Sequence, residues 1–332
     1  MMTSIIILNW NGFDVLKECM ESLLRARGDF FVIVADNASS DGSVEKLCNW
    51  CKENNAAHIQ VKEGEERGVI AHKREILIYS LKDNYGFAKG NNIAVKLALQ
   101  SSPDSILLLN NDTEVEPDFL VRLQEFKKAN NSYKVLTPLI FYCSDKERIW
   151  NAGGKLCFGF RKYHYAGKTT ADIKEKCYIP ITFVTGCALY IPISLLYDGT
   201  KVFTERFFFG EEDFEFSMRM GKQNVGMACV LDSVIYHKVG SSSSRMFGLG
   251  KLYLHNLNRF VDIRLNKSAL FYTLWATLNI PLCFRHFYRA SHSVRKSFAL
   301  LRHLFSDARN KHSVSQEDFN ALVINNNYFD RP

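Results

Sequence analysis

The stretch SILLLNND, residues 105–112, joins an apolar run to a cluster of amide and carboxylate side chains. A short apolar run of this kind is typical of a buried strand. Residues 113–117 end in a proline, with which we expect the next helix to begin. Parallel α/β sheets bind ligands at the carboxyl ends of their strands, and carboxylate and amide oxygens suit hard cations. The stretch therefore predicts a place for a divalent metal and a nucleotide diphosphate.

The first 120 residues alternate strand and helix signals at regular spacing. Apolar β-branched runs predict the strands, and apolar residues at helical intervals predict the helices between them. The predicted strands are residues 3–8, 30–35, 76–81 and 105–109, and the predicted helices are residues 12–27, 43–53 and 86–100. Residues 62–74 are charged and interrupted by glycines, so we expect a surface insertion there. Repeated β-α units predict a parallel sheet with right-handed crossovers.

Beyond Tyr133 the pattern changes to short strands and turns interrupted by glycines, which predicts an antiparallel subdomain. A helix over residues 211–222 and a strand over residues 227–236 follow, then a flexible junction at residues 241–244 and a helical remainder. The predicted fold class is α/β: a Rossmann-like, mostly parallel sheet with an antiparallel subdomain and a C-terminal helical extension.

Composition excludes several classes of protein. The chain has 332 residues, of which 47% are hydrophobic and 23% charged, so it is neither disordered nor collagen-like. The net charge of +7 comes from residues 245–312, which hold twelve Lys and Arg against two Asp. A basic appendage on a near-neutral body argues against nucleic acid as a partner.

The N-terminus and the cysteines bear on the compartment. The apolar stretch at residues 5–8 is too short for a signal peptide, so we expect a cytoplasmic protein. The nine cysteines form no regular framework, and the pair Cys48 and Cys51 lacks a second pair at zinc-finger spacing. We expect buried free thiols.

Polar residues follow each of the four predicted strands. They are Asn9 and Asn11, Asp36 and Asn37, Asp83 and Asn84, and Asn110 to Asp112. Singly, each is typical of a turn or a helix cap, but four successive strand ends favour one binding site. Asp36 can accept the imide N–H of uracil or thymine, or it can cap the next helix.

Residues 84–92 open a helix with Gly86 and Gly90, so backbone N–H groups can face a diphosphate. Lys89, one turn into that helix, would add a positive charge near the diphosphate, although a lone helical lysine is usually solvated. Asp112 offers a carboxylate to a divalent cation. His237, at the end of a strand, is either structural or a ligand that favours Mn²⁺ over Mg²⁺.

Four acids lie within residues 211–215, immediately after the aromatic run 207–209. The helix macrodipole favours acids in a first turn, but four exceed what capping needs. One of them beside an acceptor hydroxyl would serve as a general base, and burial near other acids raises a carboxyl pKa as that role requires.

In this order the motifs resemble those of the family 2 inverting glycosyltransferases of the A-type nucleotide-diphospho-sugar fold, especially the bacterial rhamnosyltransferase-like branch that builds surface polysaccharides. The resemblance covers residues 3–244. It rests on the segments 6–12, 34–43, 84–88, 109–112, 185–186 and 212–213 and on His237.

The resemblance implies roles for individual residues. Asp36 contacts the nucleobase, Asp112 stands in the metal-binding Asp-x-Asp motif, Asp213 is the base and His237 joins the metal. Asn110 replaces the first acid of that motif, and Glu215 stands where relatives often carry Asp. The remaining assignments are Glu212 beside the base; Asn9, Asn11, Asn84, Gly86, Lys89, Asn92 and Asn111 for the nucleotide sugar; and Trp150, Thr185 and Gly186 for the acceptor.

The implied reaction is a metal-assisted single displacement that inverts the anomeric carbon, with Mg²⁺ or Mn²⁺ as cofactor. The donor would be dTDP-rhamnose or a UDP-sugar, and the acceptor a glycan or a polyprenyl-diphosphate-linked saccharide of O-antigen or capsule. Residues 1–120 would form the nucleotide-sugar-binding half and 121–244 the acceptor-binding half of a catalytic domain at 1–244. The alternative is a non-catalytic sugar- or lipid-binding scaffold, which would be expected to have lost Asp112 or Asp213.

The basic helical extension, residues 245–332, holds an apolar run at residues 268–284, at the lower length limit for a spanning helix. Basic and aromatic residues flank it, which suits a helix lying on an anionic membrane. We therefore expect peripheral binding at the inner face of a bacterial plasma membrane. The alternative is a helical pair that covers the catalytic domain or makes a homodimer contact.

Overall fold

The first half of the chain alternates strands and helices as predicted. The computed structural model describes residues 1–239 and 248–325. Its first elements are β1 (Thr3–Asn9), α1 (Phe13–Arg25), β2 (Phe30–Asp36), α2 (Ser43–Glu53), β3 (His58–Lys62), β4 (Ile76–Ser80), α3 (Gly86–Leu99) and β5 (Ser105–Leu109). Strand β3 was not predicted, because only Val61 of its five side chains is buried and the apolar signal is weak. Loops and turns follow it up to β4, as expected of a surface insertion.

Residues 113–237 are rich in short strands. The elements are β6 (Thr113–Val115), α4 (Phe119–Ala129), β7 (Tyr133–Tyr142), β8 (Asp145–Asn151), β9 (Gly154–Cys157), β10 (Phe160–Tyr163), β11 (Tyr178–Ile181), β12 (Ala188–Pro192), α5 (Glu212–Lys222) and β13 (Gly226–His237). The helix expected to begin with Pro117 begins at Phe119, because residues 113–115 pair with β13 as a strand.

One mixed sheet runs through both halves. Its strand order is β11-β13-β7-β12-β5-β1-β2-β4-β3, with β6 on β13 and β8 on β7. Strands β1 to β5 are parallel to one another, whereas β12 lies antiparallel between β5 and β7. The α/β fold class is thus confirmed, but most of the predicted antiparallel subdomain extends the main sheet. In the described residues, only β9 and β10 form a separate hairpin.

Apolar layers cover both faces of the sheet. On one face α3 and α5 pack against the strands through residues such as Val95 and Phe216. On the other face α1, α2 and α4 supply residues such as Leu23 and Leu120. Strands β1, β2 and β5 are buried on both faces. Because these strands are parallel, their polar carboxyl ends meet at one edge of the sheet.

The C-terminal extension is helical, as predicted, and packs on the catalytic part. Its helices are α6 (Leu249–Asn266), α7 (Ala269–Ser291), α8 (Val294–Asn310) and α9 (Gln316–Phe319). Phe183, Phe207 and Phe214 share a third core cluster with these helices. The backbone of Val314 accepts from Phe208 and donates to Arg206. The predicted junction at residues 241–244, and with it the boundary at 244, lies outside the described residues.

Two further predictions can be compared with the structure. All nine cysteines are unpaired, but Cys157 and Cys177 are exposed, so the expectation of burial is wrong for these two. They lie in the peripheral β9 and in the loop before β11, where no second layer covers them. No helix of the described residues is both long enough and apolar enough to cross a membrane.

Candidate active site

A cleft of about 210 Å³ opens at the carboxyl ends of the parallel strands. We call it the strand-end cleft. Four residues assigned from the sequence, Asn84, Gly86, Asn111 and Asp112, lie together in its wall. The other lining residues are Leu8, Trp10, Asn37, Phe87, Asn110, Phe208, Phe209, Lys251, Phe319 and Val323. The structure thus brings three predicted strand ends into one site.

Asp36 is buried at the end of β2, and its carboxylate is held in place from two sides. Asn9 Nδ2 donates to its Oδ1 at 3.1 Å, and the backbone N–H of Ser39 donates to its Oδ2 at 2.9 Å. Asn111 Nδ2 in turn donates to Asn9 Oδ1 at 2.9 Å. Asn9 therefore connects the Asp36 carboxylate to the strand end that carries Asp112.

Asn11 fixes the loop that carries Asp36. Its side-chain oxygen accepts from the Ser40 N–H at 2.7 Å, and its own N–H donates to Ser39 Oγ at 2.8 Å. The backbone of Asn11 is left-handed, with φ of 50°, a conformation that asparagine tolerates. Asn9 and Asn11 thus orient Asp36, the residue expected to read the nucleobase.

The start of α3 is tied down by two asparagines. Asn84 Oδ1 accepts from the Gly86 N–H at 3.0 Å and from Asn37 Nδ2 at 2.7 Å, and Asn37 Oδ1 accepts from the Tyr85 N–H at 3.0 Å. The Phe87 N–H donates to the Phe208 carbonyl at 3.3 Å. These N–H groups are therefore engaged with the protein, and the expectation that they face a diphosphate is wrong for this structure.

Gly86 is required by its conformation. Its φ is 75°, and a Cβ at this position would overlap the Phe208 carbonyl oxygen. Only glycine adopts this conformation without strain and allows the approach. Gly86 therefore determines how closely the 207–209 segment closes on the cleft.

Five residues assigned to the nucleotide sugar do not line the strand-end cleft: Asn9, Asn11 and Asp36, described above, and Lys89 and Asn92. The Lys89 side chain is exposed, with Nζ 4.3 Å from the centre of the Tyr85 ring in a neighbouring depression. Asn92 is buried, where its Nδ2 donates to the Phe203 carbonyl at 2.9 Å and its Oδ1 accepts from the Val202 N–H at 3.0 Å. Asn92 thus supports the 202–203 loop from below, because it faces the inner side of α3.

Asp112 and His237 meet where β13 ends beside β6. His237 pairs with Thr113 in the strand register, which places its Nε2 3.1 Å from Asp112 Oδ1. Both side chains are buried, and His237 Nδ1 has no hydrogen-bond partner among the described residues. The described residues contain no group of three potential metal ligands. One carboxylate and one imidazole nevertheless fit a Mg²⁺ or Mn²⁺ ion whose other ligands are phosphate oxygens and water.

The acids at the start of α5 occupy different environments. Glu211 contacts the Arg259 guanidinium, and Glu215 Oε1 lies 3.4 Å from Arg219 Nε, so both buried acids are held by partly buried arginines. Asp213 Oδ1 lies 3.3 Å from a terminal nitrogen of Arg161. Burial raises the pKa of Asp213 above its usual value, and the Arg161 charge opposes that rise. Burial and the Asp213 charge raise the pKa of Glu212 to about 8, so Glu212 is mostly protonated at neutral pH.

An aromatic wall connects the metal pair to Asp213. The Trp150 ring lies 4.4 Å from the His237 ring and 6.5 Å from the Tyr163 ring. The Arg161 guanidinium lies 5.7 Å from the Tyr163 ring and completes the connection to Asp213. Trp150, assigned to the acceptor from the sequence, thus stands between the Asp112–His237 pair and Asp213.

Thr185 and Gly186 precede β12 at the same edge of the sheet. Thr185 is buried, and its Oγ1 accepts from the Cys187 N–H at 3.3 Å. Gly186 lies against the Phe87 ring, which lines the strand-end cleft. The Cys187 carbonyl accepts from the Asn110 N–H at 2.9 Å, so this turn is fixed beside Asp112.

Several residues of this region were not predicted from the sequence. They are Arg161 and Tyr163 in β10, Lys251 and His255 in α6, and the apolar residues Phe319 and Val323. Desolvation and the positive charges of nearby Arg259 and Arg161 lower the pKa of His255. These residues reach the site through packing between distant parts of the chain. Among them, only Arg161 and Tyr163 lie in a recognisable local pattern, the aromatic and basic run at residues 160–165.

A strand-end cleft with an Asp–His pair and a buried carboxylate at a helix start defines a transferase site for nucleotide-activated substrates. The family described as Glycosyl transferase family 2 matches residues 4–192, which is more than half of the chain. The chain belongs to this family and is a nucleotide-sugar-dependent glycosyltransferase. No curated protein matches the sequence.

Solved structures of similar fold cover nearly the whole chain. GalNAc-T7 with UDP, GalNAc and Mn²⁺ aligns with a TM-score of 0.58 at 16% identity, covering 99% of this chain. This chain spans 57% of the GalNAc-T7 chain. S. aureus TarS 1-349 with UDP-GlcNAc aligns with a TM-score of 0.55 at 16% identity, covering 98% of this chain and 85% of the other. The Pyrobaculum calidifontis mannosyltransferase PcManGT with GDP-Man and Mn²⁺ aligns with a TM-score of 0.53 at 10% identity, covering 92% and 86%. At these identities the likeness shows the fold alone.

Proposed function

We propose that the protein is an inverting glycosyltransferase of the rhamnosyltransferase-like branch that acts in bacterial surface polysaccharide synthesis, such as O-antigen or capsule. The donor is dTDP-rhamnose or a UDP-sugar, and the acceptor is a hydroxyl of a glycan or a polyprenyl-diphosphate-linked saccharide. The observation that carries the proposal is the connection of the Asp112–His237 pair to Asp213 through Trp150, Tyr163 and Arg161. This connection supports a leaving-group site at Asp112 and His237 and a base at Asp213 in adjoining walls.

The donor assignment rests on Asp36. Its carboxylate is buried and oriented by Asn9, and an oriented acceptor can take the imide N–H that uracil and thymine share. Asn84, Gly86 and Asn111 line the strand-end cleft that would hold the diphosphate, and Asn11 fixes the base-reading loop. UDP and UDP-GlcNAc in the structures of similar fold agree with a uracil nucleotide.

Asp112 and His237 would hold the divalent cation, Mg²⁺ or Mn²⁺, together with the donor diphosphate. The bound cation supplies positive charge that stabilises the leaving diphosphate. Mn²⁺ in two of the structures of similar fold supports this assignment. Trp150 packs against the His237 ring and fixes its orientation.

Asp213 is the proposed base. It accepts the proton of the acceptor hydroxyl while that oxygen bonds to the anomeric carbon and the bond from carbon to the diphosphate oxygen breaks, with its electron pair leaving on the diphosphate. The Arg161 charge opposes the rise that burial gives to the pKa of Asp213 and so favours its carboxylate form. Burial and the Asp213 charge raise the pKa of Glu212 to about 8, which makes Asp213 the better candidate for the base. Trp150, Thr185 and Gly186 form the acceptor side of the proposed reaction centre.

We also propose that the enzyme acts at the inner, cytoplasmic face of the plasma membrane. Helix α7 exposes Leu270, Leu274 and Leu278 at 82%, 54% and 56%, spaced four residues apart on one face. Leu282 continues this stripe, and Arg285, Arg289, Arg295 and Lys296 flank it along α7 and α8. An apolar stripe edged with cations fits an anionic lipid surface. A homodimer through the same stripe is the alternative occupant.

The proposed domain organisation follows from these roles. Residues 1–120 bind the nucleotide sugar, residues 121–244 bind the acceptor, and residues 245–332 form the basic extension. The extension covers Phe183, Phe207 and Phe214 with one face and exposes the leucine stripe with the other. The sequence predicted either that these helices cover the catalytic part or that they meet a membrane. The two roles are compatible, because they use different faces of the extension.

The proposal is tested by donor hydrolysis and transfer with a panel of nucleotide sugars and Mn²⁺, comparing wild type with Asp213→Asn. We expect the variant to lose at least about 10²-fold in transfer, the usual scale for a general base, while its donor affinity stays near that of wild type. Glu53→Gln, an exposed change at the end of α2, is the matched control. Absence of donor binding by the folded wild type would favour a non-catalytic scaffold, and full activity of Asp213→Asn would move the base role to another acid.

A further inference from the structure

The strand-end cleft receives part of its wall from the C-terminal extension. Lys251 of α6 lines it together with Phe319 and Val323, opposite Asn84 and Asp112. Among the described residues that line the cleft, Lys251 is the only cation and Asp112 the only acid. The extension therefore contributes charge to the place where the donor diphosphate is expected.

The position of Lys251 is fixed by contacts further along α6. Asn258 Nδ2 donates to the Phe209 carbonyl at 2.9 Å. Arg259 contacts Glu211 and donates to the Gly159 carbonyl at 3.0 Å. These bonds tie α6 to the segment between the cleft and α5. Lys251 Nζ itself lies 5.7 Å from the centre of the Phe209 ring.

Burial at the cleft lowers the pKa of Lys251. The negative charge of a diphosphate bound beside it would favour the ammonium form. Lys89, by contrast, is exposed over Tyr85 and shares a separate depression with Glu205 and Arg206. The local sequence predicted Lys89 beside the diphosphate, whereas in the structure Lys251 lines the strand-end cleft.

We propose that Lys251 binds the diphosphate of the nucleotide-sugar donor. The inference rests on the proposed function, because it needs a nucleoside diphosphate in the strand-end cleft. Lys251 would supply a charge-assisted hydrogen bond to the diphosphate, alongside the cation held by Asp112 and His237. The donor site would then be shared between the α/β part and the C-terminal extension.

The test is the affinity of the full-length protein for UDP, dTDP and GDP with Mn²⁺, measured by isothermal titration calorimetry, and then for the monophosphate of whichever base binds. Lys251→Met should weaken diphosphate binding about tenfold, the scale of one charge-assisted hydrogen bond, with little effect on the monophosphate. Lys251→Arg should retain most of the affinity. Lys96→Met removes an exposed lysine of α3 and controls for the loss of a charge.

The outcomes distinguish failure of the role proposed for Lys251 from failure of the proposed function. Equal diphosphate affinity of wild type and folded Lys251→Met overturns the role of Lys251 and leaves the proposed function standing. Weaker diphosphate binding by Lys89→Met, with unchanged binding by Lys251→Met, also overturns the role of Lys251. It would support the assignment of Lys89 to the diphosphate that the sequence predicted. Absence of binding of all three diphosphates by wild type overturns the proposed function and this inference with it. Thermal melting of every variant distinguishes loss of binding from loss of fold.

Discussion

Arg161→Met should move the pH dependence of transfer toward higher pH. The Arg161 charge is the largest influence that counteracts burial at Asp213. Removing it favours the protonated carboxyl, so the pKa of Asp213 rises further. A base must be ionised to accept a proton, and the acidic limb of the rate profile should therefore shift upward.

The structure sets the scale of this shift. At the separation of 3.3 Å the Coulomb energy is about 1.3 kcal/mol even with the dielectric constant of water. About 1.4 kcal/mol corresponds to one pKa unit, so the lower bound is roughly one unit. The Arg161 side chain is 31% exposed and Asp213 16%, so solvent screens the pair and we expect a value near this bound.

The assay is kcat/KM for transfer from pH 5 to 9 at constant ionic strength. The Arg161 guanidinium lies 5.7 Å from the Tyr163 ring and 5.5 Å from the Phe183 ring, and an unbranched apolar methionine can pack against the same rings, which limits damage to the fold. Arg161→Lys preserves the charge and should keep the limb near its wild-type position. A limb in Arg161→Met within about 0.3 units of wild type, with the protein folded, would refute the assignment of Asp213 as a base held ionised by Arg161.

Three more outcomes are expected. EDTA should abolish transfer, and added Mn²⁺ should restore it. Asp112→Ala should raise the donor dissociation constant about tenfold or more. Full activity in EDTA would contradict the metal assignment. The double variant Leu274→Asp with Leu278→Asp should reduce flotation with anionic liposomes at least tenfold, since a buried leucine contributes about 1.5–3 kcal/mol. The control Leu24→Asp on α1 should float like wild type. Flotation of the double variant at the wild-type level, or a change in oligomeric state alone, would argue that the leucine stripe contacts something other than a membrane. Gly250→Ala should destabilise the protein by about 1–3 kcal/mol in urea unfolding, because the Cβ would overlap the Leu322 carbonyl. Gly221→Ala, with open space around it, should stabilise by up to about 1 kcal/mol, and equal effects of the two changes would contradict this packing.

The strands of the first half could be predicted because burial on both faces gives continuous apolar runs. Strands β1, β2 and β5 were found within one residue of their ends for this reason. Strand β3 gave no such signal, because it lies at the sheet edge with one buried side chain. The meeting of Asp112 and His237 was expected from the resemblance, and the register of β13 with β6 supplies the physical cause.

The cations of the site could not be predicted in the same way. Lys89 follows the glycine turn in sequence, but the helix direction points it away from the strand-end cleft. Lys251 enters from a helix 139 residues beyond Asp112, and no local pattern encodes that approach. Asn92 resembled a ligand because it lies in a polar run, whereas its amide satisfies backbone groups of the 202–203 loop.

The contribution of Phe319 and Val323 to the strand-end cleft has a consequence for biosynthesis. Domains generally fold as units while the chain emerges from the ribosome, and the parallel half of the sheet can form early. The cleft, however, lacks one wall until residue 323 has left the ribosomal tunnel and Val314 has paired with the 206–208 backbone. A nascent chain of this enzyme should therefore be unable to bind its donor fully until residues 314–323 have emerged and packed.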